Sequence, residues 1–125
     1  MSTTKDLKSE DVVRFFLAAL SHTGIDYVNR DGLDEGFKSF LEVMREWKEK
    51  FFVSRSTQEI SELHNGLYHA QVYQLCYWEA PEYRRLFINL TPGHAIQILD
   101  EVGAHRERLL VAAQAFRQKY LQVSW

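Results

Sequence analysis

The chain has 125 residues, of which 46% are hydrophobic and 26% are charged, and its formal net charge is -2. This length favours one hydrophobic core, and the hydrophobic fraction excludes an intrinsically disordered chain. A nucleic-acid-binding domain would need a concentrated Lys/Arg surface, so this charge balance predicts no nucleic-acid partner.

The first predicted helix begins at Ser9, whose side chain suits an N-cap, and Glu10 and Asp11 follow in the first turn. Residues 12–20 are almost entirely apolar, with hydrophobic side chains on more than one side. Such a helix should lie at the centre of the fold or in an interface. Gly24 is expected to end it.

A loop is predicted for residues 26–36, which are rich in Asp, Asn and Gly. The second helix follows, because apolar residues then recur at alternating spacings of three and four. These residues are Leu33, Phe37, Phe40, Leu41, Met44, Trp47 and Phe51. Charged residues occupy the opposite side, so this apolar stripe must pack against another element.

A third helix is predicted to begin at Ser56, which forms a capping-box pattern with Glu59. Its apolar band extends from Ile60 to Trp78, and Pro81 then limits or kinks the helix.

A short amphipathic helical segment is predicted for residues 82–90, and residues 87–90 are the one place where a strand is an alternative. Thr91 and Pro92 supply an N-cap and a first helical residue for a long final helix. The apolar stripe of that helix consists of Ala95, Ile98, Leu99, Val102, Leu109, Ala113, Phe116 and Tyr120.

Together these elements predict an all-α protein, a single-domain helical bundle of four to five helices. Residues 1–8 are assigned to a polar N-terminal tail and residues 9–125 to a single helical domain. Proline and glycine, which are common in the turns between short strands, are few: the chain has two prolines and six glycines. This composition favours helices over many short strands.

Cys76 is the only cysteine, which excludes an intrachain disulfide and a cysteine-based zinc site. We expect its thiol to be buried and unreactive, because no neighbouring cation would lower its pKa. No apolar stretch approaches the length of a membrane span or resembles a signal peptide. These features predict a cytoplasmic protein with no membrane partner.

Histidines are the candidate ligand residues. His69 and His94 are candidate axial ligands for a tetrapyrrole within the bundle, although no cofactor is predicted because no fingerprint singles them out. Glu101 and His105 have the i, i+4 spacing of a metal-binding pair, but a surface ion pair is favoured and no metal site is predicted. His64 is the candidate residue for a histidine phosphotransfer domain.

Aromatic residues concentrate in one segment and are the candidate interface. Large rings with polar tips are common at protein interfaces, because they bury apolar surface while a hydrogen-bonding group stays at the rim. The candidate interface residues are Tyr68, Tyr73, Tyr77, Trp78, Tyr83 and Phe87.

No phosphate-binding loop, nucleophile elbow or catalytic Cys/His pattern occurs in the sequence, which favours a non-enzymatic protein without excluding an enzyme. The leading hypothesis is a helical protein–protein interaction module, such as a regulator, adaptor, chaperone or inhibitor, that acts as a homodimer through an aromatic-rich helical face. One alternative is a small-molecule or haem sensor, and the second is a histidine phosphotransfer domain.

Overall fold

The fold is mainly helical with one small antiparallel sheet. A computed structural model describes residues 7–123, so the predicted tail of residues 1–8 lies outside the described residues except for its last two positions. The helices are α1 (Ser9–His22), α2 (Arg30–Val43), α3 (Arg45–Lys48), α4 (Ser61–Val72), α5 (Pro92–Val102) and α6 (Arg106–Val123). The strands are β1 (Tyr27–Asn29), β2 (Cys76–Trp78) and β3 (Arg85–Ile88).

The three strands correct the prediction of a purely α-helical bundle. Strand β1 and the start of α2 occupy the predicted loop of residues 26–36. Strand β2 occupies the predicted end of the third helix, and β3 lies in the predicted amphipathic segment of residues 82–90. Each strand has three or four residues, which is too short for a period-two pattern to stand out from a helical one.

The sheet has the order β1-β3-β2, and both pairs of neighbours are antiparallel. In this register Phe87 lies between Tyr27 and Tyr77 across the strands. Successive residues of a strand point to opposite faces. The inner face therefore carries the buried Val28 and Leu86, and the three aromatic rings lie on the outer face.

Helix α1 is the centre of the hydrophobic core, in agreement with its predicted central position. It packs against α4, α5 and α6, while α2 packs along α6. The Phe16 ring lies edge-on to three other rings, with centroid distances of 4.9, 5.0 and 5.0 Å. These rings belong to Phe37, Phe40 and Phe116.

The predicted apolar stripe of the second helix is confirmed, since every one of its seven residues is buried. The helix itself is shorter than the stripe, because α2 ends before Met44 and α3 forms a separate turn. Helix α6 approaches α2 closely at Gly36, where a Cβ atom would lie 2.7 Å from the Phe116 ring. The glycine is therefore needed for the close contact of these two helices.

Two of the predicted helix starts lie near their predicted positions. Helix α1 is preceded by Lys8, so Ser9 is its first helical residue and not its N-cap. The backbone N–H of Lys8 donates to the Asp11 carboxylate at 3.0 Å. The predicted N-cap of α5 is confirmed, because the Thr91 hydroxyl accepts a hydrogen bond from the backbone N–H of His94 at 3.1 Å.

The predicted capping box at Ser56 and Glu59 is wrong, because α4 begins only at Ser61. The side chain that satisfies this helix start comes from another helix. The backbone N–H of Ile60 donates to the carboxylate of Asp34 in α2 at 2.9 Å. A tertiary contact thus replaces the local capping box.

The predicted long final helix is interrupted. Gly103 has a φ of 61°, and residues 103–105 form a 3-10 turn between α5 and α6. A positive φ suits glycine, which has no Cβ atom to clash with the backbone. The predicted apolar residues on both sides of this turn are still buried.

Candidate functional site

Three aromatic rings form a continuous stack across the outer face of the sheet. The Phe87 centroid lies 5.3 Å from that of Tyr27 and 5.4 Å from that of Tyr77. The interplanar angles are 30° and 11°, so both pairs are stacked. Tyr27 is 42% exposed and Tyr77 is 48% exposed. We call these three residues the ring stack; it is the candidate binding surface.

The orientation of the rings limits what the surface can bind. Phe87 has a tyrosine ring against each of its sides, so its two faces are covered. A platform for nucleobases needs ring faces that are open to the incoming base. The ring stack combines apolar rings with two partly exposed phenol side chains, which suits contact with another protein surface.

A charged pair borders the ring stack on the same face. The Arg85 guanidinium lies 5.6 Å from the Tyr27 centroid and 5.7 Å from the Phe87 centroid, within cation–π range. Arg85 also pairs with Glu79. The hydrogen bond and charge of Glu79 raise the pKa of Arg85, which therefore remains charged at every physiological pH. The surface thus has an apolar centre and a rim carrying both signs of charge.

Side chains of two helices anchor the outer strands of the sheet. The backbone N–H of Asn29 in β1 donates to the Tyr120 hydroxyl of α6 at 2.7 Å. The backbone N–H of Trp78 in β2 donates to the Gln71 side chain of α4 at 3.3 Å. These bonds satisfy edge groups of the sheet and hold the ring stack on a defined frame.

The six predicted interface residues are not one surface. Tyr77 and Phe87 lie together in the ring stack. Tyr68 is exposed on α4 and Tyr73 is exposed directly after it, and neither belongs to the ring stack. The expectation of an aromatic-rich helical face is therefore corrected, because the stacked rings are carried by strands.

The remaining two predicted interface residues lie elsewhere. Trp78 alternates with Tyr77 and packs against the core from the inner side of the sheet. Tyr83 is exposed in the connection between β2 and β3, with a φ of 55°. Sequence reasoning missed Tyr27, which lies far from the aromatic segment. The sequence feature that could have indicated a strand at Tyr27 is the pair Tyr27-Val28, because aromatic and β-branched residues are favoured in strands.

The candidate cofactor ligands His69 and His94 lie on different helices, α4 and α5. His69 borders a surface pocket of about 240 Å³ between α1 and α4, with Glu10 and Tyr73 among its lining residues. The His69 Nε2 atom is 3.9 Å from the Glu10 carboxylate. This volume is below the range of about 300–1,000 Å³ that is usual for ligand pockets.

Glu101 and His105 do not form the predicted surface pair, because the 3-10 turn at Gly103 separates them. Both oxygens of Glu101 accept hydrogen bonds from Arg14, at 2.9 and 3.1 Å. His105 Nδ1 instead lies 3.2 Å from the Glu46 carboxylate. Among residues 7–123 no group of three or more His, Cys, Asp or Glu side chains is arranged to hold a metal ion.

His64 is engaged by a carboxylate. Its Nε2 atom lies 3.1 Å from each oxygen of Asp34. Partial burial opposes ionisation of Asp34, but the hydrogen bonds from His64 and from the backbone of Ile60, with the charge of Lys38, lower its pKa. One of the two ring nitrogens of His64 is therefore occupied by a contact between α2 and α4.

Cys76 is buried, as predicted, and its Sγ atom donates to the Leu67 carbonyl at 3.6 Å. Burial raises the pKa of the thiol to about 12. The thiolate is the reactive form of cysteine. This thiol is therefore a packing group between α4 and the sheet.

No protein-family model, curated protein sequence or solved structure matches this chain significantly. Within residues 7–123, no helix combines the length and the apolar character that crossing a bilayer requires. The function must therefore be inferred from the geometry of the molecule itself.

Proposed function

We propose that this protein is a non-enzymatic protein–protein interaction module that self-associates through the outer face of its sheet. The observation that carries the proposal is the ring stack: Tyr27, Phe87 and Tyr77 lie in contact across all three strands and remain partly exposed. Aromatic side chains at the centre of a surface are typical of the residues that dominate binding at interfaces.

The charges around the ring stack favour a second copy of the chain as the partner. Arg85 and Glu79 lie side by side along one side of the stack. In a twofold-symmetric contact the same surface meets itself, so Arg85 of one copy can approach Glu79 of the other. A surface that carries both signs of charge is complementary to itself in this arrangement, whereas a surface of one sign would repel its copy.

The size of the face indicates weak, reversible association. Three strands at a spacing of about 4.8 Å place the two outer strands only about 10 Å apart. A stable interface buries about 800 Å² on each partner, which a three-stranded face of this width does not supply alone. We therefore expect dissociation constants in the micromolar range or weaker, and a monomer at high dilution.

Sedimentation velocity across low-micromolar to near-millimolar concentrations tests the proposal. Wild type should show a rising sedimentation coefficient with concentration. Tyr77→Ala should weaken association about tenfold or more, because it removes one end of the ring stack. Tyr68→Ala is the matched control, since Tyr68 is 70% exposed on α4 and is not part of the ring stack.

Two outcomes would contradict this proposal. The first is a wild-type protein that stays monomeric over the whole concentration range. The second is association that Tyr68→Ala abolishes and Tyr77→Ala leaves unchanged, which would place the interface on α4. Circular dichroism of both variants shows whether each still has the wild-type fold.

Neither alternative function is favoured by a specific contact. A tetrapyrrole sensor would need a cavity beside His69 or His94, but the pocket at His69 has only about 240 Å³ and opens at the surface. A phosphotransfer domain would need a solvent-facing imidazole at His64, but this ring is partly buried and its Nε2 atom contacts Asp34.

A further inference from the structure

A cleft of about 380 Å³ lies between β1 and the C-terminal part of α6. Its volume falls within the range of about 300–1,000 Å³ that is typical of small-molecule sites. One wall includes Asp26 and Tyr27, and the other includes Arg117 and Leu121. The cleft is separate from the ring stack, since it follows the edge of the sheet and not its outer face.

The two walls carry opposite charges. Asp26 and Arg117 both line the cleft and are exposed. Among residues 7–123, neither side chain takes part in an ion pair. A molecule that carries both an ammonium and a carboxylate group could therefore pair with both walls at once.

The edge of β1 adds backbone groups between these charges. Asp26 C=O accepts from Ile88 of β3, and Arg30 N–H donates to Arg84, so these residues direct their backbone groups towards β3. In an antiparallel strand the backbone groups of alternate residues point in opposite directions, so those of Tyr27 and Asn29 point away from β3. Asn29 does so, because its N–H donates to Tyr120 of α6. The N–H and C=O of Tyr27 therefore face the cleft.

The hydroxyl of Tyr120 limits how far a ligand can extend along this edge. It already accepts the hydrogen bond of Asn29 N–H at 2.7 Å. A long added strand would compete with that bond, whereas a small molecule needs only the groups of Tyr27. The apolar side chains of Ile25 and Leu121 also line the cleft and could receive a hydrocarbon group.

We propose that this cleft binds a small zwitterion of the α-amino-acid type, with its ammonium group on Asp26, its carboxylate on Arg117 and an apolar side chain between Ile25 and Leu121. A free amino acid carries both charged groups on one carbon atom, and a dipeptide carries the same two groups at its opposite ends. Tyr27 is the one residue of the ring stack that also lines this cleft, whereas the charged residues Asp26 and Arg117 lie outside the ring stack, so different variants test the two proposals.

Titration of the isotopically labelled full chain with L-leucine, followed by amide NMR, tests the site. Shifts should concentrate at residues 24–29 and 117–121. Leucinamide lacks the carboxylate and N-acetyl-leucine lacks the ammonium group, so each should bind about tenfold more weakly or worse. Leucyl-leucine, whose two charges lie at opposite ends, distinguishes the sources: tighter binding than leucine indicates a short peptide, and weaker binding indicates a free amino acid.

Matched variants assign the two charges. Arg117→Gln should reduce leucine affinity about tenfold and Asp26→Asn should do the same, because each removes one ion pair with the ligand. Arg55→Gln, at an exposed arginine in the turn before α4, should bind as wild type. No shifts with near-saturated L-leucine, or shifts that both cleft variants leave unchanged, would overturn the proposal.

Discussion

Two clusters of aromatic rings, one among the helices and one on the sheet, have similar geometry and different surroundings. Phe16 lies 4.9–5.0 Å from the rings of its three neighbours, and Phe87 lies 5.3–5.4 Å from the two rings beside it. Phe16 is fully buried between helices, whereas the tyrosines beside Phe87 are about half exposed. Ring contact alone therefore does not distinguish a core from an interface; the deciding quantity is the apolar area that folding has already removed from water.

The largest effect on stability should come from the helical cluster. Phe16→Ala should lower the free energy of unfolding by about 3–5 kcal/mol, because it leaves a cavity that the surrounding rings cannot fill. Chemical denaturation measures the change. Phe52→Ala is the control, since Phe52 is 74% exposed and its loss should change the free energy by about 0.5 kcal/mol or less. Equal effects for the two variants would break the distinction between the core and the surface rings.

A smaller effect is expected at the bridge between α2 and α4. Asp34→Asn should lower the free energy of unfolding at neutral pH by about 1–3 kcal/mol, because the charged acceptor for His64 and the backbone of Ile60 is lost. The exposed Asp31, which pairs with Arg84, provides the control Asp31→Asn, with an expected change of about 0.5 kcal/mol or less.

The pH dependence of the free energy of unfolding provides a further test of the Asp34 contact. The pKa of Asp34 is lower in the folded chain than its ordinary value of 3.8. Its stabilisation is therefore present above pH 3.8 and is lost as the pH falls through the lower folded pKa. Thermal unfolding below pH 4 should show a smaller acid-dependent loss for Asp34→Asn than for wild type. If wild type and Asp34→Asn lost stability equally below pH 4, this contact would not have the proposed role.

The smallest effect on stability is expected at the ring stack. Tyr77→Ala should lower the free energy of unfolding by about 0.2–1 kcal/mol, since cross-strand pairs on an exposed face contribute little to folding. The same variant should lose self-association, so stability and association should separate. A loss as large as that of Phe16→Ala, measured by the same denaturation experiment, would mean that the ring stack serves the fold and not a partner.

Periodicity correctly predicted those parts of the fold in which the buried side chains lie on neighbouring turns of one segment. The seven stripe residues from Leu33 to Phe51 are all buried, even though α2 ends at Val43, because the rings of Trp47 and Phe51 still contact rings of the core. The start of α5 at Pro92 was predictable because Thr91 caps it locally. The start of α4 was not, since its capping carboxylate, Asp34, lies 26 residues away from Ile60.

The candidate site was only partly predictable for the same reason. The aromatic segment drew attention to Tyr77 and Phe87, but composition alone could not separate them from Trp78, whose side chain faces the core. Tyr27 joins the ring stack through strand pairing and not through local sequence. Charge partners were also misassigned: Glu101 binds Arg14 of α1 in place of His105.

The sequence alone predicts a mainly helical chain, a first helix that lies at the centre of the fold or in an interface, and a buried apolar stripe from Leu33 to Phe51. Those properties follow from the helical spacing of hydrophobic residues, which can be recognised within one contiguous segment of the chain. The sheet, the ring stack and the cleft at the edge of β1 can be identified only from the tertiary structure. Each requires pairing between distant segments, and the hydrogen bonds that select one pairing exist only once those segments meet.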